Sequence, residues 1–459
     1  MENKIIVSVK DFGAVPNTAE LQSAAIQKAL DYVFLNGGGE VQIPEGVYRV
    51  GGLRIRSNTT LHLLENAVLE GSRDINDYFI LENDTIEPVD PDMLDNSCWE
   101  RVGGAPKMLH KWASRWHNGI IRAYHAENIA IIGEKGSVID GMNCYDAFGE
   151  EFYRGPQGIS IISCENIVLR GYITKNTGNW AQSIWNSNNI LVEDVINEAG
   201  HDGVHITTCE DVIIRKCEFY TGDDCVAGYN NKNVLVEDCE INSACSAFRF
   251  SASNALIHRC HIFSPPKFYF RGRLTKEEKE AGIPAIEGIA YKDCERTMLS
   301  VFTYYAELAT DIYNLGTNIV IRECVIENAD RFLNYNYSGN AQWQMGKPML
   351  DIKFMNIKAS GIVMPSAAYG DPDKRVSVAF ENVDFSFKEG CEDTTFLLAG
   401  YYDKIKFKNV TVRNGKCDHL VKSFDTERKG EIEFTNLKTH LDEENLVKYT
   451  DEKFEYRAI

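Results

Sequence analysis

The chain has 459 residues, of which 67 are Asp or Glu and 48 are Lys or Arg, which gives a formal net charge of −19. This acidic balance argues against nucleic acid and against an anionic membrane surface as partners. No stretch approaches the roughly 18 uninterrupted apolar residues that a membrane-spanning helix needs, so no membrane partner is expected. The oligomeric state is not indicated by the sequence.

One helix is predicted, over residues 17–35. Asn17 and Glu20 have the spacing of a capping box, and Gly37-Gly38-Gly39 follows the last turn. The apolar positions of this segment recur every four residues, at Leu21, Ala25, Ala29 and Val33. Strand-like runs follow at residues 41–44, 61–64 and 129–132.

The segment 84–118 interrupts these strands and is expected to form a loop folded over a cleft. It carries several prolines and tryptophans: Pro88, Pro91, Trp99, Pro106, Trp112 and Trp116. Aromatic rings suit stacking on sugars, although plain packing is the favoured interpretation for any single Trp, because aromatic side chains bury large areas. A second insertion, basic in character, is predicted at residues 265–283, where a solvated loop is the simplest interpretation.

The middle of the chain contains an internal repeat. A phrase of one polar and two apolar residues begins at Asn166, Asn189, Asp211, Asn233 and Asn254, so successive starts differ by 23, 22, 22 and 21 residues. Self-similarity at this period, with short β-branched runs, predicts a solenoid of strands. We interpret each unit as one coil of a parallel β-helix and expect residues 1–459 to form a single domain, since a solenoid grows by adding coils. The predicted helix would cap the first coil.

The chain contains thirteen cysteines. Cys217, Cys239 and Cys260 occupy one position of successive repeats, which predicts a buried column of small apolar side chains. A disulfide scaffold or a zinc site is less favoured, because no Cys-x-x-Cys pair occurs. The first six residues lack a long apolar core and a cleavage signal, so a cytoplasmic protein is expected.

Three acidic residues stand out in this repeat. Asp202 precedes Asp224 by 22 residues, one period, so the two are predicted to lie side by side on neighbouring coils, about 4.8 Å apart. Asp223 adjoins Asp224. Crowded carboxylates repel, so one of the three is expected to hold its proton while another stays ionised, which is the division that glycoside hydrolysis uses. A Gly-Asp turn or a calcium ligand set is an alternative of about equal weight on spacing alone.

The same period places other candidate residues. His205, Ala227 and Arg249 form one predicted column, with His205 and Arg249 facing solvent and Val204, Val226 and Phe248 facing inward. Arg249 can clamp a sugar carboxylate bidentately, or can merely neutralise the acids. Further substrate-binding candidates are His201 next to Asp202, and Trp180, one period before Asp202, whose ring suits either sugar stacking or packing.

Several motifs together resemble glycoside hydrolase family 28, the polygalacturonase and rhamnogalacturonase family. They are Phe12-Gly13-Ala14, Gly37-Gly38-Gly39 leading to Ile43-Pro44-Glu45-Gly46-Val47-Tyr48, Ser57-Asn58-Thr59-Thr60-Leu61, Ile139-Asp140-Gly141, Asn179-Trp180 and Thr221-Gly222-Asp223-Asp224. The resemblance runs from about residue 7 to about residue 262. It implies an all-β, right-handed parallel β-helix and metal-free, cofactor-free inverting hydrolysis, with Asp223 as general acid and Asp202 and Asp224 holding the water as base.

The chain also departs from the family's pattern. Gly200-His201-Asp202-Gly203 stands for Asn-Thr-Asp-Gly, and Ala244-Cys245-Ser246 for Gly-His-Gly, a loss similar to that in rhamnogalacturonan-cleaving members. No Arg-Ile-Lys follows; Arg271, Arg273 and Lys276 are candidates for its role in substrate binding. The leading hypothesis is an exo-acting glycosidase for imported pectin-derived oligosaccharides. The alternatives are a calcium-dependent β-helical polysaccharide lyase and a non-catalytic β-helical carbohydrate-binding protein.

Overall fold

The structure is a computed structural model that describes residues 5–94, 100–102, 105–107, 115–149, 153–268, 270, 275–281, 298–306, 314–338, 346–424 and 428–450. The chain divides into two compact units. The first unit comprises residues 1–223 and 268–294, and the second comprises residues 224–267 and 295–459. The expectation of a single domain stays a prediction.

The first unit is built from short strands that pair in parallel from one coil to the next. Ile129 pairs with Ile167, and Ile190 pairs with both Ile167 and Val212, so equivalent apolar residues of the repeat stack inside the unit. The strands are Ile5–Ser8, Gly39–Ile43, Gly46–Val50, Leu53–Ile55, Thr59–Leu63, Ala67–Gly71, Gly119–Tyr124, Glu127–Gly133, Val138–Asp140, Gln157–Ile162, Glu165–Arg170, Ile173–Lys175, Gln182–Trp185, Asn188–Glu193, Ile196–Ala199, Val204–Thr207, Glu210–Arg215 and Glu218–Thr221.

The second unit continues the same construction with longer strands. Ile319 pairs with Ala255 and Ile352, and Val378 pairs with Ile352 and Ile405, all in parallel register. Its strands are Val226–Glu237, Glu240–Ser243, Ser246–His258, His261–Phe263, Ser300–Tyr304, Thr317–Arg322, Val325–Glu327, Leu333–Asn336, Asp351–Ile362, Ser366–Tyr369, Val376–Phe387, Leu397–Gly400, Tyr402–Val412, Val421–Ser423, Glu431–Thr435 and Val447–Tyr449. The predicted parallel β-helix is therefore observed in both units.

The polar residue that opens each repeat phrase has a structural role at a corner of the coil. The five phrase openers have φ between +53° and +60°, a conformation that Asn and Asp tolerate better than other non-glycine residues. Asparagine side chains at these positions also form an amide ladder within each unit. Asn166 Nδ2 donates to Asn128 Oδ1 (2.9 Å), and Asn254 Nδ2 donates to Asn233 Oδ1 (3.1 Å). The phrase recurs in the sequence because each coil needs one residue with positive φ at this position.

The three cysteines that share one position of the repeat are buried, as predicted. Cys217, Cys239 and Cys260 all have less than 3% of their surface exposed. The described cysteines are free thiols. Contact with Cys239 and burial together raise the pKa of the Cys260 thiol, so this residue acts as a small apolar core side chain.

The N-terminal helix is present but shorter than predicted. It spans Ser23–Leu35 and buries Ile26, Ala29, Leu30 and Val33 against the unit. The predicted capping box is wrong. Asn17 lies outside the helix with φ +61°, and its Oδ1 accepts a hydrogen bond from Val47 N (3.0 Å), so its side chain fixes a strand instead of a helix end. Leu21 is exposed for the same reason.

The described parts of the two predicted insertions contain little regular structure. The first insertion contains the antiparallel strand pair Glu100–Val102 and Ala105–Lys107 and two short 3₁₀ turns, Pro91–Met93 and Arg115–His117. Outside the insertions, 3₁₀ turns are present at Val9–Phe12, Ile75–Tyr78, Leu81–Asn83 and Glu443–Asn445. The second insertion contains the short helix Lys276–Glu280. Among the described residues, no helix combines the length and the apolar character needed to cross a bilayer.

Three arginines of the first unit are buried but differ in their partners. Arg54 and Arg56 both form ion pairs with Asp84, and Arg54 pairs in register with Arg122. Burial alone would raise the pKa of Asp84, but the backbone N–H of Glu87 and the two arginines hold it below its ordinary value. Arg122 donates to Asn118 Oδ1 (2.8 Å) and forms no ion pair with the described residues. Burial, with a smaller effect of the Arg54 charge, lowers the pKa of Arg122 to about 9.

Opposite effects on stability are expected when these arginines are replaced. Arg122→Met is expected to raise the free energy of unfolding at pH 7 by about 1–4 kcal/mol, because it removes a buried charge that has no ion-pair partner in the described chain. Arg54→Met is expected to lower it by about 3–5 kcal/mol, because Asp84 then loses part of its compensation. Chemical denaturation measures both.

The Arg122 effect also has a defined pH dependence. A folded-state pKa of about 9 lies below the ordinary value of 12.5, so charged Arg122 destabilises the fold below pH 9, and the cost falls as pH rises above it. The gain from Arg122→Met should therefore shrink above pH 9. A loss of stability in Arg122→Met at neutral pH would contradict this account.

Candidate active site

Asp202 lies in the turn before strand Val204–Thr207 of the first unit. Its backbone carbonyl accepts a hydrogen bond from Ala181 N (2.9 Å), which belongs to the preceding coil. Its carboxylate Oδ2 lies 2.8 Å from Nδ1 of His205. Because Asp202 is buried, this hydrogen bond offsets part of the cost of removing the carboxylate from water and fixes its orientation.

His205 is on the predicted outer side of its strand but does not face solvent. Ser183 is its partner in register on the neighbouring strand, and inward-facing Val204 is fully buried, as predicted. Its ring stacks on Trp180 with centroids 3.5 Å apart and planes 4° from parallel, and Trp185 lies 6.2 Å away. Only 4% of His205 is exposed, so the expectation of a solvent-facing His205 is wrong. Two large aromatic rings cover it.

Trp180 is accounted for by packing. One face of its ring is occupied by His205, and its edge meets Trp116 with centroids 5.6 Å apart. With 5% of its surface exposed, it presents little ring area to a sugar. Packing therefore accounts for these contacts of Trp180, which supports the ring that holds Asp202. Its predicted contact with a sugar stays a prediction.

Asp223 follows strand Glu218–Thr221 and has a basic neighbour that the sequence did not reveal. Thr221 Oγ1 donates to the backbone carbonyl of Asp223 (2.8 Å) and fixes the turn. Asp223 Oδ2 lies 3.5 Å from a guanidinium nitrogen of Arg154, and Arg154 donates to Asn179 Oδ1 (3.1 Å). Asn179 belongs to the quoted Asn179-Trp180 motif, so this motif helps to position the cation beside the acid.

Arg154 lies next to a cluster of aromatic rings formed by Tyr153, His201 and Phe270. Its guanidinium carbon lies 5.3 Å from the ring centroid of Phe270. The His201 ring contacts Phe270 edge-on at 5.8 Å and stacks on Tyr153 at 6.0 Å. His201 is fully buried within this cluster, and its predicted contact with substrate stays a prediction.

Asp224 begins the second unit and is held by its own partners. Its Oδ1 accepts a hydrogen bond from Ser246 N (2.8 Å), and its Oδ2 lies 3.4 Å from Arg249. Ala227 pairs in register with Arg249, so this part of the predicted column is confirmed. The Arg249 guanidinium lies over the Tyr305 ring at 4.3 Å, and 26% of its side chain is exposed. An exposed edge on a stacked guanidinium is suited to binding a carboxylate.

Each candidate catalytic carboxylate therefore has a basic side chain beside it: His205 for Asp202, Arg154 for Asp223 and Arg249 for Asp224. Basic groups at these distances provide positions where an anionic substrate can be recognised. Asp202 belongs to the first unit and Asp224 to the second. Their predicted position side by side therefore stays a prediction. Arg271 and Arg273 lie outside the described residues.

Comparison with known proteins shows what this arrangement resembles. Residues 110–244 match the family model described as glycosyl hydrolases family 28, and this segment includes all three candidate acids. The predicted resemblance to this family is confirmed. The same match supports the predicted enzyme class, a glycosidase.

Two relatives match over longer segments of the chain. The chain is 25% identical over 232 residues to a probable polygalacturonase of Vitis vinifera, an alignment covering 48% of this chain and 43% of that protein. It is 22% identical over 253 residues to an exo-poly-alpha-D-galacturonosidase of Dickeya chrysanthemi, covering 48% of this chain and 41% of that protein. The chain thus spans less than half the length of these relatives.

A solved structure extends the comparison of the fold. An exopolygalacturonase from Thermotoga maritima superposes with a TM-score of 0.62 at 16% sequence identity, covering 84% of this chain and 88% of that one. Identity this low shows the fold alone. The right-handed parallel β-helix predicted from the sequence is confirmed.

The sequence contains one signal for Arg154, an irregular spacing between two coils. Ile129 and its register partner Ile167 are 38 residues apart (167 − 129), whereas Ile167 and Ile190 are 23 apart (190 − 167). The longer coil contains an insertion, and Tyr153 and Arg154 lie in it, between strands Val138–Asp140 and Gln157–Ile162. The repeat predicts neighbours only for residues that recur once per coil. It therefore does not predict that Tyr153 and Arg154 lie near the candidate acids.

Proposed function

We propose that this protein is a glycoside hydrolase that cleaves glycosidic bonds of pectin-derived oligosaccharides of the galacturonate or rhamnogalacturonan type. The observation that carries the proposal is the family match over residues 110–244, which contains three carboxylates that each lie beside a basic side chain. Acidic sugars suit such a site, because guanidinium groups bind carboxylates through paired, charge-assisted hydrogen bonds.

The roles follow the chemistry of inverting glycosidases. Asp223 protonates the leaving oxygen, and Asp202 and Asp224 hold the attacking water as base, so the product has the opposite anomeric configuration. His205 holds Asp202 in position through its 2.8 Å hydrogen bond. Arg249 contributes to substrate binding. Since acid and base are both carboxylates, no metal is assigned to the reaction.

Further parts of the proposal concern substrate size and location. We propose exo action on short oligosaccharides and a cytoplasmic location. The free thiols of the described cysteines are consistent with a reducing compartment, where imported fragments and not the pectin polymer would be the available substrate.

A screen of defined pectic oligosaccharides, with product analysis by NMR, tests the proposal. The expected result is release of a terminal sugar, with an inverted first-formed anomer and a rate unchanged by EDTA. A product that keeps the substrate's configuration would remove the inverting assignment. Loss of activity in EDTA, restored by calcium, with unsaturated products absorbing in the ultraviolet, would establish the lyase alternative. Binding without turnover of any pectic oligosaccharide would favour the carbohydrate-binding alternative.

A further inference from the structure

Arg122 is a buried cation of the first unit whose guanidinium is only partly hydrogen-bonded. Only 2% of the residue is exposed. Its Nη1 donates to Asn118 Oδ1 (2.8 Å), whereas its Nη2 has no hydrogen-bond partner among the described residues. A buried donor without a partner destabilises the fold, and more so when it belongs to a charged group. A group that accepts a hydrogen bond from Nη2 would therefore stabilise this unit.

Two neighbouring side chains have donors of the same kind. Asn118 and Ser160 are both buried, and neither Asn118 Nδ2 nor Ser160 Oγ has a partner within the described chain. Ser160 pairs in register with Arg122 on the next coil. Register partners on parallel strands project from the same face, about 4.8 Å apart. A guanidinium, an amide and a hydroxyl group thus lie on one side of the sheet, and all three donate hydrogen bonds.

The charged residues around Arg122 do not neutralise it. Arg54, its register partner on the preceding coil, is held by Asp84 and Glu87 at 2.6 and 3.2 Å. Glu82 attracts the Arg122 charge without forming an ion pair with it in the described chain. Burial has the largest effect and, with the Arg54 charge, lowers the pKa of Arg122 to about 9, so the guanidinium is still charged at pH 7.

This combination of donors and charge favours an anion over water as a partner. A buried water molecule accepts hydrogen bonds from such donors, but it leaves the positive charge without compensation. A buried charge is tolerated best when both a counter-charge and hydrogen bonds accompany it. Since one positive charge requires compensation, a monovalent anion suits the site better than a divalent one. The burial of all three side chains favours a small ion.

We propose that Arg122, Asn118 and Ser160 bind one small monovalent anion, such as chloride, as a structural counter-ion. The site is separate from the candidate catalytic residues. Successive register pairs lead from Arg122 through Ser160 and Ser183 to His205, so three coils separate Arg122 from His205, about 14 Å at 4.8 Å per coil. The inference therefore does not depend on the proposed function.

Urea denaturation at fixed sodium concentration and ionic strength tests the site, with methanesulfonate, a bulkier monovalent anion, replaced stepwise by chloride. Urea is the suitable denaturant because guanidinium chloride would itself supply the anion. The wild-type protein should gain stability with chloride until the site is saturated. Its unfolding equilibrium constant should fall about tenfold at a chloride concentration of about ten times the dissociation constant. Wild-type stability that does not change with chloride would overturn the inference.

Two variants should abolish the chloride response through opposite changes. Arg122→Met removes the charge that attracts the anion. Asn118→Asp supplies a permanent carboxylate at the position that already contacts Arg122 at 2.8 Å, and the backbone hydrogen bonds of residue 118 to Arg115 and Gln157 are retained. In methanesulfonate both variants should be at least as stable as wild-type protein. Ser160→Ala should keep the fold but require more chloride for the same gain, because one donor is lost.

Arg49→Met is the matched control. Arg49 belongs to the same unit, but 41% of its side chain is exposed and its partner is Glu70. Its replacement changes the net charge by the same amount as Arg122→Met without altering the site, so the full chloride response should remain. A chloride response that persists in both Arg122→Met and Asn118→Asp, or that is lost equally in Arg49→Met, would show a general charge effect and overturn the inference.

Discussion

Replacing Asp223 by Asn is expected to reduce kcat by about 10²–10⁴-fold, because a positioned general acid contributes a factor of this size. The asparagine amide has nearly the same shape as the carboxyl group but provides no acidic proton for the leaving oxygen. The Thr221 hydrogen bond that fixes this turn goes to the backbone carbonyl and is retained, so the fold should be unchanged. Steady-state kinetics on a cleaved pectic oligosaccharide, with thermal unfolding, measure both effects.

Chemical activation distinguishes the role of Asp223 from a general effect on the site. A substrate with a good leaving group, such as an aryl glycoside of the same sugar, needs little protonation and should recover much of the lost rate in Asp223→Asn. Asp224→Asn is the control, since a residue that acts on water should show no such recovery. Comparable recovery in both variants would show that Asp223 is not the acid.

Replacing His205 by Ala is expected to lower the free energy of unfolding by about 3–5 kcal/mol and to reduce kcat as well. The change removes the ring that stacks on Trp180 at 3.5 Å and the hydrogen bond to the buried Asp202 carboxylate. Loss of a buried aromatic ring leaves a cavity, and loss of one member of a buried pair leaves the other less compensated. Urea denaturation and kinetics on the same preparation measure the two losses.

His205→Asn separates the two contributions. Its amide nitrogen can occupy the place of Nδ1 and donate to Asp202, but it does not fill the space between Trp180 and Trp185. This variant should therefore recover more activity than stability, relative to His205→Ala. If both variants unfold at the wild-type denaturant concentration, the stacked arrangement of His205 contributes nothing to the fold.

The repeat was sufficient to predict the coils because its spacing is enforced by backbone geometry. Asn166 and Asn189 need the same positive φ at the same corner, and Ile167 and Ile190 must then stack in register. The column that joins Ala227 to Arg249 follows from the same rule. These features depend only on the chain's own period.

Other features depend on which distant segments cover the coil, and these were not predictable. The outer direction of His205 was right, yet its burial is set by how Trp180 and Trp185 fold over it. The helix start was misplaced because Asn17 bonds to Val47, a contact 30 residues away. Arg154 was missed since it lies in an insertion, where the repeat assigns no neighbours.

The asparagine ladder has a consequence for how such a protein can diversify. When one complete coil is added or removed, the asparagine positions of neighbouring coils stay in register and can still form hydrogen bonds. A change of any other length disturbs this register unless the additional residues leave the coil as a loop. The insertion that carries Arg154 is such a change, lying between Val138–Asp140 and Gln157–Ile162 while Asn128 and Asn166 remain bonded across it. Such loops can therefore change in sequence and length while the coils that hold Asp202 and Asp223 stay the same.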